Sequence, residues 1–150
     1  MKTIFDKPTR DELVQRINSL NENNKPLWGK MNIYQMFKHC TIWNEWILGK
    51  KGFVYKQDFL GKIFGKMALK SNTKDDKPIG KHMPAGGVFT VKETVGDLTA
   101  LKLIWVEQIN SYENYLNDNF IHDFFGKMTK EEIGIFAFKH NDHHLRQFNA

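Results

Sequence analysis

An all-α fold is predicted for this chain: an up-down-up-down four-helix bundle with a long irregular connection between helices 2 and 3. Three observations predict it. Apolar residues recur at spacings of three and four in four separate runs. Cap and breaker residues bound those runs. No segment alternates convincingly as a strand. The whole chain, 1–150, reads as a single domain, long enough for a real core.

Residues 1–8 read as an extended lead-in ending at Pro8. Thr9-Arg10-Asp11-Glu12 fits a capping box, with Leu13, Ile17 and Leu20 following at helical spacing. Asn21 to Pro26 break the pattern. The second helix follows Gly29-Lys30-Met31 with Asn32 as its cap. Ile33, Met36, Phe37, Cys40, Trp43 and Ile47 form its apolar face, and His39 borders that face. Gly49 ends it. A short helix over 57–69 is expected, weakened by two glycines. Residues 71–92, with Pro78, Gly80, Pro84 and Gly86-Gly87, read as the irregular connection, a candidate lid carrying His82. Asp97 caps the third long helix, whose stripe runs from Leu98 through Leu101, Ile104, Trp105, Ile109 and Tyr112 to Leu116. Thr129-Lys130-Glu131-Glu132 is a second capping box and opens the last helix. Gly-Lys-Met occurs at 29–31, 65–67 and 126–128, too short an echo to define a repeat.

Composition narrows the function classes. The apolar fraction is 41% and the charged fraction 26%, ordinary values for a globular protein. The net charge is +5, from 22 basic and 17 acidic residues, with the lysines scattered along the chain. Nucleic-acid binders cluster such charge beside stacking aromatics, so no nucleic-acid partner is expected. One cysteine, Cys40, allows no intrachain disulfide and fits a reducing cytoplasm. The N-terminus carries no signal-peptide pattern, and no run approaches the ~20 apolar residues of a membrane span, so no membrane partner is expected.

The chemistry concentrates in the last helix, which holds His140, His143 and His144. At ~100° per residue, His140 and His144 fall within the arc defined by Ile133, Phe136, Ala137 and Phe148. His143 falls at its edge and Asp142 on the solvent side. A single histidine on an apolar face is usually a hydrogen-bonded core residue. Two at i, i+4 aim both rings at one side, the spacing of helical metal sites. A third imidazole from elsewhere would leave positions open for water or substrate, a set that suits zinc, nickel or iron(II). His39, His82, His122 and His143 compete for that place, and His39 is favoured by its seat on a helix.

The pattern His140-x-x-x-His144-x-x-Gln147, with a lone His39 on the second helix, resembles the DinB-like (YfiT-like) superfamily of metal-binding four-helix bundles. The phrases KPLWGKMNIYQMFKHC and FFGKMTKEEIGIFAFKHNDHHLRQF resemble an uncharacterised bacterial branch of it. The likeness covers both ends and the helix order, and 50–95 only loosely. It implies the metal ligands His39, His140 and His144, and often a homodimer. His143, an addition to the motif, and Gln147 and Trp43 would stand around the ligands as supporting or pocket residues.

Some members resemble thiol S-transferases, in which a divalent metal activates a low-molecular-weight thiol for attack on an electrophile. A hydrolase would use water by the same logic. Glu45 and Glu107 are candidate bases, and Trp43, Trp46 and Phe136 candidate pocket walls. Cys40 is a poor nucleophile, since a lone buried thiol is usually inert. The alternative is a non-catalytic, metal-stabilised bundle that serves as a stress-linked binding or interaction protein. A structural site is closed by protein groups, whereas a catalytic one keeps a position open.

Overall fold

The computed structural model describes residues 1–83 and 86–150. Pro84, part of the expected connection, lies outside the described residues. Among the described residues five α-helices follow in order: α1 (Lys7–Ser19), α2 (Ile33–Leu48), α3 (Phe59–Thr73), α4 (Leu98–Ser111) and α5 (Lys130–Gln147). A two-stranded antiparallel hairpin, β1 (Ile121–His122) and β2 (Gly126–Lys127), sits between α4 and α5. The protein is therefore mostly helical, with a hairpin too short to leave an alternating pattern in the sequence. Among the described residues no helix is long and apolar enough to cross a membrane.

The helix ends show how local chemistry sets each element. α1 begins two residues before the expected Thr9, with Asp6 at its N-cap position. Pro8 is at home in a first turn, where its missing N–H is not needed. Thr9 is therefore inside the helix and buried, and the box read at Thr9–Glu12 is not used. On α2, the Asn32 side chain accepts the Gln35 N–H at 2.9 Å, and Gln35 Oε1 accepts the Asn32 N–H at 3.0 Å. Gly49 closes that helix in the left-handed region. The expected box at Thr129–Glu132 is present at the start of α5.

Two expectations fail for tertiary reasons. α4 ends at Ser111 and tightens into a 3-10 turn, Tyr112–Asn114. The stripe read through Leu116 stops there, and Leu116 is exposed. α3 runs later and longer than 57–69, capped by Asp58. Its glycines are what allow it to dock. A Cβ at Gly61 or Gly65 would fall on the carbonyl oxygen of Phe124, so the helix lies against that backbone on its glycine side. Lys139 of α5 holds the far end, donating to the carbonyls of Asn72 (2.7 Å), Asp75 (2.5 Å) and Lys77 (2.9 Å).

The core is apolar, with Leu13, Ile17, Met36, Phe37, Ile47, Trp105 and Ile109 fully buried. Through it runs one polar network. Asn141 Oδ1 accepts from Trp105 Nε1 at 2.7 Å and from Asn44 Nδ2 at 3.1 Å. Tyr112 OH donates to Asn44 Oδ1 at 2.8 Å. This ties α2, α4 and α5 together at one level and sets the rotation of α5. α5 is buried on nearly all sides, including Lys139, Asn141 and Leu145 outside the stripe read for it. Asp142 is likewise not free in solvent: it accepts from Arg16 Nη1 at 2.8 Å and is only slightly exposed.

Asn141→Leu should destabilise the protein by about 2–4 kcal/mol, because it strands two buried donors without an acceptor. A urea midpoint equal to that of the parent protein would show that the network does not contribute.

Candidate metal centre

α2 supplies His39 and α5 supplies His140 and His144, and one ligand atom from each lies within 4.8 Å of the others. His39 and His144 are buried, and His140 is partly so. The residues that hold each ring fix its tautomer. His39 Nδ1 meets the Phe89 carbonyl at 2.8 Å and must donate, which leaves Nε2 bare. His144 Nδ1 meets Gln147 Oε1 at 3.0 Å. Gln147 Nε2 donates to the Trp28 carbonyl at 2.7 Å, so its oxygen is the acceptor and His144 Nε2 is bare too.

His140 completes the set differently. Its ring stacks on Trp43, with centroids 3.8 Å apart and planes 10° apart. Its Nε2 stands 3.3 Å from His39 Nε2, and its Nδ1 is buried with no partner among the described residues. Two nitrogens bound to one tetrahedral ion at about 2.0–2.1 Å stand about 3.3–3.4 Å apart. The observed separation therefore fits two nitrogens sharing an ion. Without an ion, one of these nitrogens must carry the hydrogen of a nitrogen–nitrogen bond.

Burial pushes the pKa of His140 and His144 well below the ordinary imidazole value, and that of His39 down as well; the neighbouring histidines add to the shift in each case. All three are therefore neutral near pH 7, the state in which imidazole ligates. Three neutral nitrogen donors suit zinc, nickel or iron(II) better than calcium or magnesium, which prefer oxygen. No fourth histidine, cysteine or carboxylate joins the cluster among the described residues.

The other candidates are not among the converging ligands. His143 packs edge-on against both Trp28 and His144 and lines a cavity of about 530 Å³ with Lys81 and Arg146. His122 belongs to the hairpin, where its Nδ1 accepts the Phe124 N–H at 3.1 Å. His82 is exposed on the connection, in the left-handed region. Glu45 pairs with Lys51 at 2.7 Å, and Glu107 is exposed beside Lys50; neither joins the histidine cluster. Trp46 packs on Phe89 and Phe120, and Phe136 on Trp43. Cys40 is fully buried, and burial pushes its thiol well up, away from the thiolate that a nucleophile needs.

Two supporting groups were not legible in the sequence. Phe89 acts through its carbonyl, and any residue type carries one; only its place on a 3-10 turn crossing α2 makes it an acceptor for His39. Gly29 sits at φ +81°, and a Cβ there would stand 2.7 Å from Gln147 Nε2. It gives room to the amide that orients His144.

Gln147→Ala and Gly29→Ala should each weaken metal binding, Gln147→Ala by about 10–100-fold as is typical for residues that orient a ligand. A competitive chelator titration measures this, and unchanged affinity in both variants would remove their supporting role. Stability should also depend on pH. The cluster histidines bind protons less readily folded than unfolded, so metal-free protein should lose stability as pH falls below the ordinary value of 6.5. Denaturant midpoints above and below that pH test it, with His140→Gln/His144→Gln expected to flatten the dependence.

No curated protein and no solved structure matches this chain. Residues 4–150 match the family described as a protein of unknown function (DUF1569). The match covers nearly all of the chain, including all three clustered histidines, and the chain belongs to the DUF1569 family.

Proposed function

We propose that the chain is a metal-binding protein of DinB-like type that acts on a small molecule as a metal-dependent thiol S-transferase or hydrolase. In this reading α1, α2, α4 and α5 are the four helices of an up-down-up-down bundle, α3 rides on the connection, and the protein works in the cytoplasm. The single observation that carries it is the donor count: three imidazoles converge, and no fourth ligand joins them among the described residues. A three-ligand set leaves a position for an exchangeable group, as catalytic sites do. A divalent ion held there would lower the pKa of a thiol or water and supply a nucleophile at neutral pH.

The chain's own residues have assigned tasks in this scheme. His39, His140 and His144 hold the ion. The Phe89 carbonyl and Gln147 keep two of the rings in the ligating tautomer. Trp43 holds the plane of His140 and, with Phe136, makes an apolar wall that excludes bulk water.

One observation favours the second reading, a non-catalytic metal-stabilised bundle. The 530 Å³ cavity is lined by His143 and not by the three clustered histidines, two of which are buried. Access to the ion separates the two readings.

Elemental analysis of purified protein should find about one zinc, nickel or iron per chain, lost in His140→Ala and His144→Ala. Cobalt-substituted protein should then change its visible spectrum when a low-molecular-weight thiol is added, and a thiol–electrophile screen should show metal-dependent turnover. Metal without spectral change or turnover selects the non-catalytic reading. Metal content unchanged in both variants overturns the site itself.

A further inference from the structure

The residues on α3 that give it a helical apolar pattern do not face the core. Phe59 is 75% exposed, Leu60 59%, Ile63 57%, Phe64 48% and Met67 70%. The contact side of the helix is instead Gly61, Gly65 and Leu69, which are buried. At ~100° per residue the five exposed side chains span one continuous arc, opposite the glycine side. The glycines fix that orientation, since the helix can approach the Phe124 backbone only where Cβ is absent. The five side chains present on the order of 500 Å² of apolar surface, at the upper end of what a monomer exposes.

The charge beside this arc has one sign. Lys62, Lys66 and Lys70 lie at successive turns along its edge, and α3 contains no acidic residue. Lys66 Nζ donates to the Lys127 carbonyl, a neutral partner that leaves its charge uncompensated. Asp58, just before the helix, is engaged as its cap. A helix with a large exposed apolar face and lysines along its border is the pattern of a segment that lies in a membrane interface. This is a different requirement from spanning, which no helix here meets.

We propose that α3 is a docking face for an anionic lipid surface, with Phe59, Leu60, Ile63, Phe64 and Met67 entering the headgroup boundary and Lys62, Lys66 and Lys70 contacting lipid phosphates. Charge decides between this occupant and a second copy of the chain. Two α3 faces brought together antiparallel would oppose like-charged rows of lysine, whereas an anionic bilayer complements them. The proposal does not rest on the metal reading, because none of these residues belongs to the histidine cluster.

The test is co-sedimentation of the full chain with vesicles of phosphatidylglycerol and phosphatidylcholine, against phosphatidylcholine alone, at low and high salt. Light scattering reports the oligomeric state of the same samples. Binding is expected to phosphatidylglycerol vesicles only and to weaken with salt. Lys62→Gln/Lys66→Gln/Lys70→Gln should bind about 100-fold more weakly, since each lysine near an anionic surface contributes about fivefold. Ile63→Gln/Phe64→Gln should abolish binding while leaving the circular dichroism and metal content of the parent. Absence of binding to the anionic vesicles, or binding unchanged in the lysine variant, overturns the proposal. So does a dimer in solution that Ile63→Gln/Phe64→Gln dissociates, which would make a second copy the occupant.

Discussion

Three neutral imidazoles packed together in an apolar interior impose the constraint that the rest of this structure answers. Each ring carries one donor and one acceptor, and each needs a partner once water is excluded. Here the outer nitrogens of His39 and His144 are satisfied by oxygen acceptors, which leaves both inner nitrogens bare, that of His39 facing His140. His140 has no acceptor or donor for its own outer nitrogen, and it is held by stacking on Trp43 instead. Without a cation a single N–H···N hydrogen bond pairs His140 with His39 only, whereas a cation between the rings could be shared by all three. The site is in this sense incomplete as a set of protein groups, which is the physical content of the metal reading.

Holding that geometry requires that α2 and α5 neither slide nor rotate. The Asn44–Asn141–Trp105–Tyr112 network does this directly, one residue along from His140. A rotation of α5 that moved His140 away from His39 would also strand the Asn141 carbonyl oxygen from two buried donors. The connection between α3 and α4 adds a second restraint. It passes over α2, where the Phe89 carbonyl meets His39 and the Val91 carbonyl accepts from Gln35 Nε2 at 3.1 Å. The stretch that reads as a lid in the sequence is thus, at these two points, part of the scaffold of the centre.

The same body has a surface that its own core does not need. α3 is attached through its glycine side and its far end, and Lys139 is consumed in that attachment, with burial lowering its pKa despite nearby Asp75 and Asp76. Its apolar side chains are left outward as a consequence of how it docks. Apolar periodicity tells that a helix has a sticky side, but not whether that side finds its partner within the chain.

The sequence by itself determined the helical class, the caps at Asn32, Asp97 and Thr129, the stop at Gly49, and the pairing of His140 with His144, because these depend on residues within one or two turns of each other. It also favoured His39 over the competing histidines, by its seat beside an apolar face. Tertiary structure alone decided the rest. It withdrew Leu116 from its helical stripe, turned the α3 aromatics outward, brought Asp142 to Arg16, made Phe89 and Gly29 matter through a carbonyl and a missing Cβ, and sent His122 to a hairpin instead of the cluster. The reason is one of range. Capping and helical spacing are local properties of the chain, whereas a buried nitrogen's partner or the direction a helix faces is set by residues far away in sequence, and those meet only once the chain has folded.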